Sequence, residues 1–218
     1  SVVSCAKHDG YTLTGLVPEA WEGKPVFLVL DDTNQPHFID STKISGGKFK
    51  FQGKFEVPRY CTINIYLDPN DRQTRSKIIN FSLFIDSTAV EATCDYSGKH
   101  PVFQISGSGT QTEYQNYLSE IQPMEDDRSK TFHAYGEAYY STKDLAKAID
   151  LAKLVTEKRL AIREAKMKYL KAHPESAISV KIAQELSDRN SDLSLKEIEG
   201  LFTSLSPEMQ NSEMGQAL

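Results

Sequence analysis

The sequence predicts an α+β chain, an N-terminal antiparallel β-sandwich or barrel followed by an all-α helical segment. Three observations predict it. Short β-rich runs separated by turn residues fill residues 10–109. No helical pattern lies between those runs, so the crossovers of a parallel sheet have nowhere to form. After Gly107-Ser108-Gly109 the apolar period lengthens from two residues to about 3.6, the helical value.

Tyr11-Thr12-Leu13-Thr14-Gly15-Leu16 opens the strand series, and a loop with Pro18, Trp21, Gly23 and Pro25 follows. Val26-Phe27-Leu28-Val29-Leu30 is a continuous apolar run, the pattern of a well-buried strand. After a mixed run from Phe38 to Ile44, Ser45-Gly46-Gly47 signals a hairpin, because glycine supplies the positive φ of a tight turn. Lys48 to Phe55 alternates polar and apolar, which puts Phe49 and Phe51 on the core side and a bulge near Gly53. Tyr60 to Leu67 alternates through Cys61, Ile63 and Ile65, and Asp68-Pro69-Asn70-Asp71 marks a loop. Ile78–Ile85, Val90–Tyr96 and Val102–Ile105 complete an eight-strand set.

In the helical segment, residues 110–205, Thr110 to Ile121 reads as a helix broken by Pro123. Glu125-Asp126-Asp127 reads as solvated. Ser141 or Thr142 is the expected cap of a long helix from about Lys143 to Ala172, with Asp144 in its first turn. Leu145, Ile149, Ala152, Leu154, Val155, Ile162, Ala165 and Tyr169 mark its apolar positions. A basic amphipathic helix can lie on an anionic membrane or bind a partner. Interleaved Asp and Glu favour a solvated face over a core-packed stripe. His173-Pro174-Glu175-Ser176 ends that helix, and Ala177–Leu186 and Lys196–Leu205 are two more. Residues 206–218 read as the start of a linker. Gly107-Ser108-Gly109 reads as a flexible hinge.

Composition limits the function. A net charge of -5 disfavours nucleic acid, which needs a concentrated basic surface. No stretch approaches the roughly 20 apolar residues that span a bilayer. Val2-Val3-Ser4-Cys5 looks like the end of a bacterial lipoprotein signal, which makes Cys5 the lipidation candidate and residues 1–9 a tether. Lipid there would hold the protein at a membrane surface without a span, in the cell envelope, as a periplasm-facing or outer-membrane lipoprotein. Cys61 and Cys94 are far apart in sequence and no C-x-x-C exists, so the chain lacks the attacking and resolving thiols of redox exchange. Each reads first as a buried small hydrophobe; an envelope location also permits a Cys61–Cys94 disulfide.

No catalytic, cofactor-binding or metal-ligating residue is signalled. His8, His37, His100, His133 and His173 are scattered, no zinc spacing or phosphate loop is present, and no nucleophile has an evident base. The aromatic run Phe132, His133, Tyr135, Tyr139 and Tyr140 is the candidate binding surface, since such side chains combine apolar area with polar tips. Packing inside the fold is its plainer use. The Asp-Ser-Thr triplets at Ser41 and Thr42 and at Ser87 and Thr88 match a short O-glycosylation signal, and Asn80-Phe81-Ser82 fits an N-linked sequon in an expected strand.

In order, Tyr11-x-Leu13-x-Gly15, Val26-x-Leu28-x-Leu30, Asp40-Ser41, Gly47-Lys48-Phe49-x-Phe51-x-Gly53, Phe81–Ile85, Ile105-Ser106-Gly107-Ser108, His173-Pro174-x-Ser176, Leu201-Phe202-x-x-Leu205 and Asn211-Ser212-x-x-Gly215 span nearly the whole chain. This series resembles the N-terminal domains of unknown function that precede thioredoxin-like domains in thiol–disulfide interchange lipoproteins of Bacteroides-type bacteria. The resemblance implies a non-catalytic accessory domain that positions a C-terminal thioredoxin-like domain, dimerises, or recognises clients. It implies three partners: that domain, a second copy in a homodimer, and a membrane surface through the lipid. The alternative is a stand-alone glycan- or peptide-binding envelope module, and no redox residue of the family has a counterpart in this chain.

Overall fold

A computed structural model describes residues 10–32, 35–68, 78–97, 100–188 and 192–218. The expected tether with Cys5, and the loop residues Pro69, Asn70 and Asp71, lie outside the described residues. Alternation builds the first part of the chain as expected. The strands are β1 (Tyr11–Leu16), β2 (Pro25–Leu30), β3 (His37–Lys43), β4 (Lys48–Gly53), β5 (Arg59–Tyr66), β6 (Ile78–Ile85), β7 (Ala89–Asp95) and β8 (Val102–Ser106). They form two sheets, in the orders β4-β1-β7-β8 and β3-β2-β5-β6. Pairing is antiparallel except between β1 and β7, which run parallel. The inward phase of each strand makes one core: Leu13, Val26, Leu28, Phe49, Phe51, Ile63, Ile65, Leu83 and Val90 are all buried. Trp21 is buried too, on a one-turn 3-10 helix, its ring edge-on to Tyr96 at 5.7 Å.

Turn chemistry fixes the corners. Gly46 and Gly47 have φ of 60° and 69° and turn the chain tightly at the Ser45–Lys48 bridge, but the expected hairpin does not form, because the β3 and β4 they connect lie in different sheets. Gly107 has φ 89°, and a Cβ there would sit 2.0 Å from the Ala89 carbonyl oxygen. Ser108 is buried and its hydroxyl donates to Asp86 at 3.0 Å. The expected hinge is therefore a fixed turn. Its bonds carry the chain into α1 (Gly109–Gly136), whose Gln111 side chain accepts from the Phe84 N–H at 2.8 Å. That bond satisfies a backbone donor on edge strand β6 that would otherwise invite a foreign strand.

The chain divides into two compact units, one running to Glu113 and resuming at Glu208, the other from Tyr114 to Pro207. Residues 206–218, read from sequence as linker, hold two short helices, α5 (Pro207–Asn211) and α6 (Glu213–Gln216). Met209 and Met214 are buried there, and Ser212 caps α6.

In the second unit α1 and α2 (Leu145–Ala172) are antiparallel, each 28 residues long. Tyr117 packs on Tyr169 at 4.7 Å between centroids, and Asp127 pairs with Lys158. Three sequence expectations change here. Pro123 does not break α1; it lies exposed within it. Tertiary pairing along the rest of the helix outweighs the lost backbone bond. Glu125 and Asp127 are not merely solvated: Glu125 reaches Arg128 at 3.0 Å and Lys166 at 3.5 Å. Asp144, rather than Ser141 or Thr142, caps α2, its carboxylate accepting from the Lys147 N–H at 3.0 Å. α3 (Ala177–Leu186) starts at the Ser176 cap and buries Ile178, Val180 and Ile182; α4 (Leu195–Thr203) starts at a Ser194–Glu197 capping box.

Gly15 lies opposite Phe49 in the β1–β4 pair, and a Cβ at Gly15 would stand 2.0 Å from the Phe49 ring. Gly15→Ala should cost about 1–3 kcal/mol in urea unfolding through overpacking. Combining it with Phe49→Leu should recover part of that, giving a double variant less destabilised than the sum of the singles.

Candidate functional site

One position in the sandwich breaks the apolar alternation. Arg59, Cys61, Ile63 and Ile65 share the inward phase of β5, and all are buried. A buried guanidinium must have its donors met. Arg59 Nε and Nη2 donate to the two oxygens of Asp32, each at 2.8 Å, in the side-by-side geometry that suits an arginine fork. Asp32, just past β2, is buried as well and also accepts from the Tyr60 N–H at 2.9 Å. The remaining fork nitrogen, Nη1, donates to Glu213 of α6 at 2.8 Å. Burial pulls the guanidinium toward its neutral form. Hydrogen bonds and charge from Asp32, then from Glu213, more than offset this, and its pKa is raised.

Arg59 and Glu213 line a groove of about 560 Å³. Leu30, Ile39 and Phe55 give it an apolar floor, and His37, Lys54 and Glu208 stand on its rim. It lies along β3, an edge strand of its sheet. Phe38 of β3 is 57% exposed. An apolar trough beside an open strand edge suits an extended chain, with backbone bonds to the edge and side chains in the trough. Sequence reading missed this groove. The signal was present, in a charged residue on the core phase of an apolar strand.

The second feature is the sequence-predicted aromatic surface. Phe132, His133 and Tyr135 end α1, and Tyr139 and Tyr140 occupy a π-helical turn, Glu137–Ser141. The turn is closed by the Thr142 N–H on the Glu137 carbonyl at 3.0 Å, with Ala138 buried beneath it. Such turns insert one extra residue and often mark functional places. Rings follow one another from Phe132 to Tyr135 (6.0 Å), Tyr135 to Tyr139 (5.8 Å) and Tyr139 to Tyr140 (4.8 Å). Phe132 is 54% and Tyr140 67% exposed, so these rings are not core packing. Leu145 and Ile149, both 58% exposed, extend the apolar area onto α2.

The other expected positions scatter. Cys61 is buried in β5 and Cys94 half-buried in β7 of the other sheet, and both are free thiols. Burial, then the Asp32 charge, pushes the Cys61 thiol up, and burial with Asp95 pushes Cys94 up. Ser41 and Thr42 lie on edge strand β3, with Ser41 exposed. Ser87 and Thr88 form the β6–β7 turn, where Thr88 hydrogen-bonds Asp86 and Asp86 accepts from Thr110 N–H at 3.1 Å. That triplet serves the turn and the α1 start. His173 stacks on Tyr169 at 4.4 Å. Among the described residues no three His, Cys, Asp or Glu side chains gather as metal ligands, and no helix is long and apolar enough to cross a membrane.

Compared with known families, residues 11–114 match one described as a domain of unknown function (DUF4369). The match spans all eight strands and the first residues of α1. No curated protein matches the chain.

Two outcomes follow from this geometry. Asp32→Ala strands the buried Arg59 charge and should cost about 3–5 kcal/mol in urea unfolding. Glu213→Gln, at a side chain itself 63% exposed, should cost less than about 1 kcal/mol. A maleimide pulse at pH 8 followed by peptide mass mapping should label Cys94 before Cys61 in the folded protein. Cys61 should react only on unfolding, because thiolate is the reactive form and burial opposes it.

Proposed function

We propose that this chain is a non-catalytic accessory domain of an envelope thiol–disulfide oxidoreductase, with the hairpin-tip aromatics as its recognition surface. The observation that carries the reading is the ring ladder that runs from Phe132 and half-buried Tyr135 at the end of α1 to Tyr139 and Tyr140 on the π turn, with Phe132, Tyr139 and Tyr140 exposed. Large aromatic side chains held at a rigid helix end are typical anchors for a protein partner. The cysteines support it from the other side: Cys61 and Cys94 are both unbonded and both have raised pKa values, the opposite of an attacking thiol, so in this reading exchange chemistry belongs to a joined thioredoxin-like domain. Docking of the 208–218 tail on the sandwich unit, through Met209, Met214 and the Arg59–Glu213 contact, would give such a domain a fixed point of departure. In this reading lipid on Cys5 holds the assembly at the membrane surface.

The groove along β3 favours a second reading, a stand-alone peptide- or glycan-binding envelope module. The mass of the protein in the native membrane fraction, read with antibody against this chain, separates the two. A product larger by about 100–150 residues, one typical domain, with a C-x-x-C peptide in its digest, is expected. A product of this chain's own size would overturn the accessory reading. With the full-length enzyme, Phe132→Ala/Tyr140→Ala should raise KM for a folded protein client by about tenfold or more, the effect of losing anchor residues, and leave KM for a small disulfide unchanged. An equal change in both would exclude the tip as a client surface.

A further inference from the structure

The helical unit holds a cleft unlike the sandwich groove, about 400 Å³ in volume and walled by charge. α1 contributes Glu125 and Arg128, α2 contributes Arg159, Arg163 and Lys166, α3 contributes Glu185, and Asp192 closes it. Arg159 and Arg163 stand one helical turn apart on the same face. Each places Nη1 on a different oxygen of Asp192, at 2.8 and 3.0 Å. The Asp192 side chain is 47% exposed, so the two guanidiniums meet their carboxylate at the cleft mouth. Deeper in, Lys166 reaches Glu125 at 3.5 Å and Glu185 at 3.2 Å.

A second observation comes from a residue outside the cleft lining that feels two of its carboxylates, Glu185 and Glu125. Tyr117 is buried, and its hydroxyl is buried with no hydrogen-bond partner. Burial, then the charges of Glu185 and Glu125, raises its pKa and keeps it a donor. Both carboxylates line the cleft. A buried donor without an acceptor is uncommon in native proteins and calls for a reason.

We propose that this cleft is an oxyanion site, taking a phosphate-class dianion on Arg159 and Arg163 in place of the Asp192 carboxylate. Charge selects the ligand. Among the described residues lining the cleft, with Asp192 in place, Arg128, Arg159, Arg163 and Lys166 face Glu125, Glu185 and Asp192, a surplus of one positive charge. With Asp192 swung out the surplus is two, which a dianion neutralises and a monocarboxylate does not. Paired guanidiniums also present the planar, multiple donors that phosphate oxygens prefer. Asp192 is then a built-in competitor that satisfies the arginines when no ligand is present. The inference is independent of the accessory-domain reading.

Calorimetric titration with inorganic phosphate, in low-salt buffer at pH 8, tests it on the whole chain. Saturable binding is expected, with acetate a poor competitor. Asp192→Asn should bind about fivefold tighter or better by removing the competing charge, and Arg163→Gln should weaken binding at least about tenfold. Arg159→Lys keeps the charge and loses the fork, so it should also weaken binding while circular dichroism stays unchanged. Lys171→Gln, outside the cleft, should bind as wild type. Glycerol phosphate distinguishes the source: tighter binding than inorganic phosphate points to a phosphate ester, weaker binding to the free ion. No saturation at 20 mM phosphate (roughly the weakest useful affinity at low salt) would overturn the proposal. So would equal losses in Lys171→Gln and Arg163→Gln, or weaker binding by Asp192→Asn.

Discussion

The Asp32–Arg59 pair is the constraint on which the sandwich unit depends. Burying a guanidinium costs several kcal/mol unless its fork is fully met. Here the fork is met by two acids, one of them held by a backbone donor as well. Asp32 fixes the end of β2 against the start of β5, the Tyr60 N–H joins the same carboxylate, and Glu213 brings in the last helix of the chain. One inward-facing arginine thus ties the middle of a sheet to residues more than a hundred positions later. The pair's value lies in specificity of arrangement, since an apolar isostere at a buried ionic site is often as stable.

A comparable economy governs the passage from sheet to helix. Asp86 sits in the β6–β7 turn, yet its carboxylate accepts from Ser108 and Thr110 at the start of α1. Gln111 then meets the Phe84 N–H on the edge of β6. Left-handed Gly107, packed against Ala89, lets the chain turn tightly enough for these contacts. Together they meet one backbone donor on that edge and set where the helix begins.

The helical unit is organised more by charge than the apolar count of α2 suggests. Lys158, Arg159, Arg163 and Lys166 of that helix are each paired with an acid from α1, α3 or the α3–α4 connection. These four are half of the eight basic residues of α2, so that half of the basic face is consumed inside the unit. What remains outward is apolar at the tip, where Leu145 and Ile149 adjoin the exposed rings. The two features lie apart: the arginine cleft runs along the helices, and the aromatic ladder lies at their turn.

Sequence by itself determined the α+β class, the eight strands, the inward phase of Phe49, Phe51, Cys61, Ile63 and Ile65, and the Gly46-Gly47 turn. These follow from period-two alternation and positive φ, which are local properties. It also isolated the aromatic run at 132–140, because composition is local too. Sequence could not reveal that Pro123 is tolerated, that 206–218 folds, or that Asp144 is the cap. Each depends on contacts elsewhere that outweigh local preference. Nor could it join Asp32 to Arg59 and Glu213, or Arg159 and Arg163 to Asp192. Charge pairs across long separations carry no periodic signature, and only the tertiary structure brings their partners within hydrogen-bond reach.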